Sequence, residues 1–424
     1  VDTTETTAAA AATATATTTA DAAAVADAAG TLDRAQLAEL DAASPFARTR
    51  EWFALPEGLV YLDGNSLGPP PRAALEAVAS MIGEEWGRGL VRSWHHAGWW
   101  DKPVELGALL GPVLGAAGDE IVVCDSISVN LFKVLTAAAR LAERPGLLVE
   151  ADAFPTDRYL AESVAALLGH EVRYLTHDDE LEREFERVGV ALLAHVDYRS
   201  GRRLDLESVT ARAHRAGTLV VWDLAHSAGA LALQLDRAAA DFAVGCTYKY
   251  LNGGPGAPGY VYAARRHLEA VSQPISGWHG HAAPFAFLPE YRPDPGIRRF
   301  LAGSPPLVAY AALEASLRLW QGVDLGALEL AARSLSSLLQ GLLAQRCPSL
   351  ELVSPPLPSQ RGSHLSYRHP EQHRLVEALA GRDVIVDARE PDLVRLSLTP
   401  LYLRRVDLFD GVERIAEALG SLGD

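Results

Sequence analysis

The stretch GCTYKYLNGGPG, Gly245 to Gly256, sets a lysine between two tyrosines just ahead of a glycine-rich loop. Lysine is scarce in this chain. Only Lys102, Lys133 and Lys249 occur in 424 residues, so 38 Lys+Arg minus 3 leaves 35 arginines. A guanidinium keeps its proton at any relevant pH, whereas a desolvated amine can lose it and act as nucleophile or base. The bias toward arginine makes Lys249 a candidate catalytic amine, although Lys102 and Lys133 persist with no task visible in the sequence.

Working outward, DFAVGCT reads as a buried strand that runs into Tyr248 and Lys249. TLVVWDLAHSAG reads as another, ending at Asp223 with His226 three residues on. EIVVCD, PGLLVEA and VALLAHVD have the same β-branched, apolar character, and FKVLTAAARLAE, RYLAESVAALLG and DLESVTARAHRA read as helices between them. This alternation predicts an α/β fold with a mostly parallel sheet covered by helices on both faces. Ligands of such sheets sit outside the carboxyl ends of the strands. Strands that follow one another through a single crossover tend to be neighbours, so Asp223 and Lys249 are expected to face one site.

That pair admits several readings. It could be a structural ion pair, and a strand-end Asp often caps a loop. Asp223 and His226 could begin a metal site, but no further ligand stands at useful spacing. The third reading is a pyridine ring held between the two groups: a buried carboxylate keeps the ring nitrogen protonated while the lysine forms a Schiff base. Arginine could not replace that lysine. An anion cradle is available in EIVVCDSISVNLFKVL, where a strand runs through Ser126 and Ser128 into a helix whose first amides point outward; Ser and Asn there are also ordinary helix caps. FPTD, Phe154 to Asp157, adds an aromatic face and a carboxylate after the strand GLLVEA. The glycines of NGGPGAPG allow a tight turn after Lys249. With no GK[ST] following, this is not a nucleotide-phosphate loop.

Beyond about Trp320 the pattern changes to one long helix, LGALELAARSLSSLLQGLLAQ, followed by short strands such as HLSYR and LVRLSL. Four segments are expected: an Ala/Thr-rich tail at 1–30, disordered or loosely helical; a helical segment at 31–60, capped by Thr31 or Asp33 and packing with the small domain; a large domain at 61–320; and a small C-terminal α+β domain at 321–424. The tail lacks the basic start and apolar centre of a secretory signal and the arginines of a mitochondrial one. A formal charge of −16 argues against a nucleic-acid partner, and no apolar run approaches a membrane span. Cys124, Cys246 and Cys347 are too scattered for a disulfide framework or a zinc cluster. The expected location is the cytoplasm.

In chain order, YLDGNSLG, EWGRGLVRSWHHAGWW, FPTDRYL, VDYRSGR, VWDLAHSAGA, TYKYLNGGPGAPGYVY, GWHGH, RRFLAGSPPL and VRLSLTPLY resemble kynureninase, most closely its bacterial form. The resemblance runs from about Tyr61 to Tyr402. It implies the fold-type-I aminotransferase architecture, class V branch, with pyridoxal phosphate as cofactor, no metal and a homodimer. The implied reaction is hydrolytic Cβ–Cγ cleavage of L-kynurenine to anthranilate and L-alanine. Alternatives are 3-hydroxykynurenine as preferred substrate, cysteine desulfurase or selenocysteine lyase chemistry, and a non-catalytic binding protein on the same scaffold. The resemblance makes Lys249 the Schiff-base lysine and proton shuttle, and Asp223 the partner of the ring nitrogen. His226 would lie near the ring oxygen, with Phe154 stacked on the ring and Asp157 bonded nearby. Ile127, Ser128, Tyr248, Trp278 and Ser304 would hold the phosphate, Trp278 and Ser304 from the neighbouring subunit. Arg395 would clamp the substrate α-carboxylate with Ser66 close by, and Trp94 with the Gly303–Ser304 turn would line the substrate ring. The sequence departs from the family pattern at Ala194, where Ser or Thr is common, and at His95 and His96.

Overall fold

The computed structural model describes residues 32–423, so the expectation for the 1–30 tail lies outside the described residues. The chain divides into two compact units. One comprises residues 67–198 and 203–323, the other residues up to Ser66, Arg199–Arg202 and those from Asp324 onward.

The first unit is built on seven strands: β1 (Ile121–Cys124), β2 (Leu147–Glu150), β3 (Val172–Leu175), β4 (Val190–Ala194), β5 (Leu219–Asp223), β6 (Phe242–Cys246) and β7 (Gly259–Ala263). Their order across the sheet is β1-β7-β6-β5-β4-β2-β3. Strands β3, β2, β4, β5 and β6 pair in parallel, and β7 runs antiparallel to both β6 and β1. The central strands are buried on both faces, which is why they read as unbroken apolar runs rather than alternating ones. Each fully buried Val or Leu contributes about 1.5–3 kcal/mol of burial energy. The sequence reading did not separate GYVYA as a strand. Residues 247–258 fold back without a helix, turned by Asn252, Gly254 and Gly256 at positive φ, so β7 re-enters antiparallel. A side chain at Gly259 would meet the backbone of Gly245 at 2.8 Å and the amide of Ile127 at 3.0 Å, so this strand can start where it does only with glycine.

Helix α1 (Ile127–Leu141) follows β1, and α2 (Pro155–Leu168) follows β2. Ser126 caps α1 by accepting from the Val129 amide at 3.3 Å. The two lysines without an evident task both have one. Lys102 pairs with Glu314 at 2.8 Å, and Lys133 is buried against Asp125.

The second unit carries a four-stranded antiparallel sheet in the order Asp387–Arg389, Leu393–Ser397, His364–Arg368, Glu351–Leu352, and a parallel pair, Val60–Tyr61 with Val384–Ile385. Its long helices Leu325–Arg346 and Arg405–Leu422 pack together. The helix Arg34–Ala42 begins at Asp33, which forms a capping box with Gln36. It joins the C-terminal helix through Arg34 with Asp410 at 2.7 Å and Asp41 with Arg405 at 3.3 Å.

Candidate active site

The parallel register brings the carboxyl ends of β4, β5 and β6 level: Ala194 lies opposite Asp223, and Asp223 opposite Val244. Beyond those ends, and beyond β1 and β2, opens a cavity of about 140 Å³. Its wall gathers Lys249, Tyr248, Asp223, His226, Asp157, Phe154, Ile127 and Ser128, eight residues singled out in the sequence. They come from four strand ends, far apart in the chain, because the sheet collects these exits on one edge.

Lys249 Nζ lies 3.0 Å from His226 Nε2 and 6.0 Å from the centre of the Tyr248 ring. Asp223 accepts from the Ala225 amide at 2.7 Å. Burial pushes the Asp223 carboxyl up, while the Ala225 amide, Lys249 and a hydrogen bond with Asp157 pull it back. Asp157 is pushed well above the carboxylate range by burial and by the neighbouring Asp223. Burial thus pushes both carboxyls toward the protonated form, Asp157 the further because Asp223 stands beside it. Burial likewise raises the Tyr248 phenol, so Tyr248 is a hydrogen-bond donor at neutral pH. Phe154 sits on the cavity wall 44% exposed, edge-on to Tyr198 with ring centroids 5.2 Å apart.

The cavity thus suits both signs of charge. Its wall includes Ile127 and Ser128 at the start of a 15-residue helix, a place favourable to an anion. It also includes the two carboxyls, favourable to a protonated nitrogen. The methyl of Ala194 faces the same space, and its own amide donates to Glu150 at 3.0 Å. Sequence reasoning passed over Asp197, Tyr198 and Thr156, which also line the wall. VDYRSGR and FPTD follow strand ends, the one signal that could have marked them.

Six expected site residues do not line this cavity. Trp94 and Trp278 belong to an aromatic cluster with Trp100 and Phe285, ring centroids 4.9–6.4 Å apart, around a surface depression of about 390 Å³. Gly303 and Ser304 are exposed. Ser66 and Arg395 belong to the other unit. There the Arg395 guanidinium is buried and bidentate on Asp387, Nε to Oδ1 at 2.8 Å and Nη2 to Oδ2 at 2.5 Å. Ser66 Oγ donates to Asp387 Oδ2 at 2.7 Å. His95 and His96 are both exposed.

A family model described as the kynureninase C-terminal domain matches residues 328–415. The chain is 47% identical over 400 residues to the kynureninase of Deinococcus radiodurans, covering 92% of this chain and 97% of the other. It is 45% identical over 396 residues to that of Burkholderia mallei strain ATCC 23344, covering 91% and 95%. The chain belongs to the kynureninase family. Among solved structures, a cysteine desulfurase of Escherichia coli superposes with a TM-score of 0.75 at 23% identity, covering 89% of this chain and 98% of the other. An apo cysteine desulfurase of Thermococcus onnurineus NA1 does so with 0.74 at 20% identity, covering 87% and 97%. At that identity the likeness shows the shared fold, and the kynureninase sequences set this chain apart within it.

Proposed function

We propose that this kynureninase-family chain uses pyridoxal phosphate to hydrolyse the Cβ–Cγ bond of L-kynurenine, releasing anthranilate and L-alanine. The observation that carries this reading is the cavity's lining: Lys249 beside His226, the paired carboxyls Asp157 and Asp223, and the start of the helix at Ile127 and Ser128. That donor set suits a planar pyridine bearing a phosphate. When bound, the cofactor supplies an electron sink conjugated to the amino-bearing carbon of the substrate.

The chain's residues then divide the work. Lys249 would hold the cofactor through its amine and would take the proton from the substrate α-carbon; His226 Nε2, 3.0 Å away, would orient it. Asp223 would keep the ring nitrogen protonated, and Asp157 beside it would hold Asp223 in place. Phe154 covers one ring face. Ile127 and Ser128 amides, with the Tyr248 hydroxyl, take the phosphate. Arg395 binds the substrate α-carboxylate from its place on Asp387, and Ser66 steadies that pair.

We assign the assembly as a homodimer in which each subunit lends Trp278 and Ser304 to its partner's site. Support comes from Val91, Trp278 and Phe285, exposed apolar side chains gathered at one depression. Trp94 and the Gly303–Ser304 turn would line the substrate ring at that junction. His95 lines the depression beside Trp94 while His96 is exposed; we take the unsubstituted kynurenine ring as the preferred substrate, and a preference for the 3-hydroxy derivative would assign His95 to its hydroxyl. The net charge of −16 speaks for a small-molecule substrate rather than nucleic acid. No helix among the described residues is long and apolar enough to cross a membrane, which fits a cytoplasmic enzyme.

A desulfurase reading needs a reactive thiol. All three cysteines are buried, and burial raises Cys124 to about 12, Cys347 to about 11 and Cys246 in the same direction, the opposite of an activated thiolate. The absorbance spectrum tests the assignment of Lys249. The purified enzyme should show a visible band at roughly 420 nm from a protonated Schiff base, and Lys249→Ala should lose it. A colourless wild-type enzyme after incubation with pyridoxal phosphate would exclude this chemistry.

A further inference from the structure

Lys133 takes no part in the chemistry above, yet it is wholly buried on α1, below the amides of Ile127 and Ser128. Its ammonium pairs with the Asp125 carboxylate and donates to the Phe300 carbonyl at 2.6 Å. Asp125 is the residue at which the chain leaves β1 for α1. Its φ is +44°, in the left-handed region that residues other than glycine, asparagine and aspartate seldom enter. The turn is pinned from two further sides: the Gly259 amide donates to Asp125 O at 2.7 Å, and Asn130 Nδ2 donates to Cys124 O at 2.6 Å. A shift of Asp125 would rotate Ser126, Ile127 and Ser128 together, since they follow it directly. Only the Lys133 pair acts on its side chain among these contacts.

We propose that Lys133 is a positioning residue for the cofactor phosphate: by fixing Asp125 in its left-handed turn, it aims the first amides of α1 into the cavity. The proposal rests on the reading that those amides receive the phosphate. Lysine suits the task because a compact ammonium can serve the carboxylate and the carbonyl at once from a fully buried stem, where a planar guanidinium would need more room. A chain that otherwise uses arginine therefore keeps lysine here for a reason different from that at Lys249.

Stability is a poor readout, because Lys133→Met leaves the Asp125 carboxylate without its partner and would cost stability whatever the pair does for the cofactor. The discriminating comparison is between pyridoxal phosphate and pyridoxal, which differ only in the phosphate. The full-length enzyme would be stripped of cofactor and titrated with each compound, as wild type, Lys133→Met and Asp125→Asn, after circular dichroism has established that each is folded. The expected result is an affinity for pyridoxal phosphate lowered about tenfold or more in the variants, with affinity for pyridoxal unchanged. Asp125→Asn keeps the turn's shape and loses the charge, so it carries the test should Lys133→Met not fold. An equal loss for both compounds, or no loss for either, overturns the proposal. If wild type itself binds the two compounds equally well, the phosphate assignment to α1 fails, whatever the variants do.

Discussion

At Arg395 a buried guanidinium meets Asp387 through two nitrogens, and Ser66 donates to the same carboxylate, so charge is balanced inside the protein. Around Lys249 the arrangement is different. Two carboxyls, Asp157 and Asp223, face one amine, and the burial that raises both marks a place suited to a further positive group. Both regions bury opposite charges, but only the second is incomplete without a ligand. The difference teaches how each would handle its partner: the cavity is built to be filled, whereas Arg395, in the proposed role, would share with the substrate a guanidinium already held in orientation by Asp387. Such a pre-held fork loses little freedom on binding, a gain in affinity from preorganisation rather than from extra contacts.

Three substitutions probe this contrast. The largest effect is expected at Asp223. With the carboxylate removed in Asp223→Ala, nothing keeps the ring nitrogen charged, and kcat should fall by about two to three orders of magnitude, several kcal/mol of barrier; near-normal turnover would remove Asp223 from the mechanism. At Arg395 the effect should lie in binding. Arg395→Lys retains the charge against Asp387 but not the fork, so KM for kynurenine should rise about tenfold, roughly 1.4 kcal/mol, with kcat changed much less. A fall in kcat at constant KM would place the α-carboxylate elsewhere.

The smallest effect concerns Asp63, which burial and the nearby Asp387 raise from the ordinary value to about 6. Between about 4 and 6 the folded protein keeps a proton that the unfolded chain has lost, so its stability declines as pH rises through that window. Above 6 the buried charge is a standing cost. Asp63→Asn should therefore raise the melting temperature at pH 7.5, by an amount on the order of 1 kcal/mol of stability, and should gain less at pH 5. A variant that melts below wild type at pH 7.5 would show that the charge is used rather than tolerated.

Much of the cavity could be read from the sequence because its residues mark the ends of strong strands. VVWD and AVGCTYK change from apolar to chemically capable within one residue, and a parallel sheet turns such transitions into neighbours. Asp223, His226, Tyr248 and Lys249 were legible in this way. Tyr198 and Asp197 were not, since they stand a few residues past β4, where loop geometry decides which side chains return to the site. Strand β7 escaped notice because its apolar run follows a glycine-rich loop that was read for its turning alone. The aromatic cluster of Trp94, Trp100 and Trp278 joins segments nearly two hundred residues apart, and no local pattern announces that contact. Lys133 had no visible task because its partners, Asp125 and Phe300, are polar only through one carboxylate and one main-chain oxygen.

The central claim is that this cavity carries out hydrolytic carbon–carbon cleavage of kynurenine. The purified full-length protein, incubated with pyridoxal phosphate and L-kynurenine, should produce anthranilate and L-alanine in equal amounts, quantified together by chromatography. Kynurenine left intact by a folded, coloured enzyme, or consumed without equimolar alanine, would contradict the account.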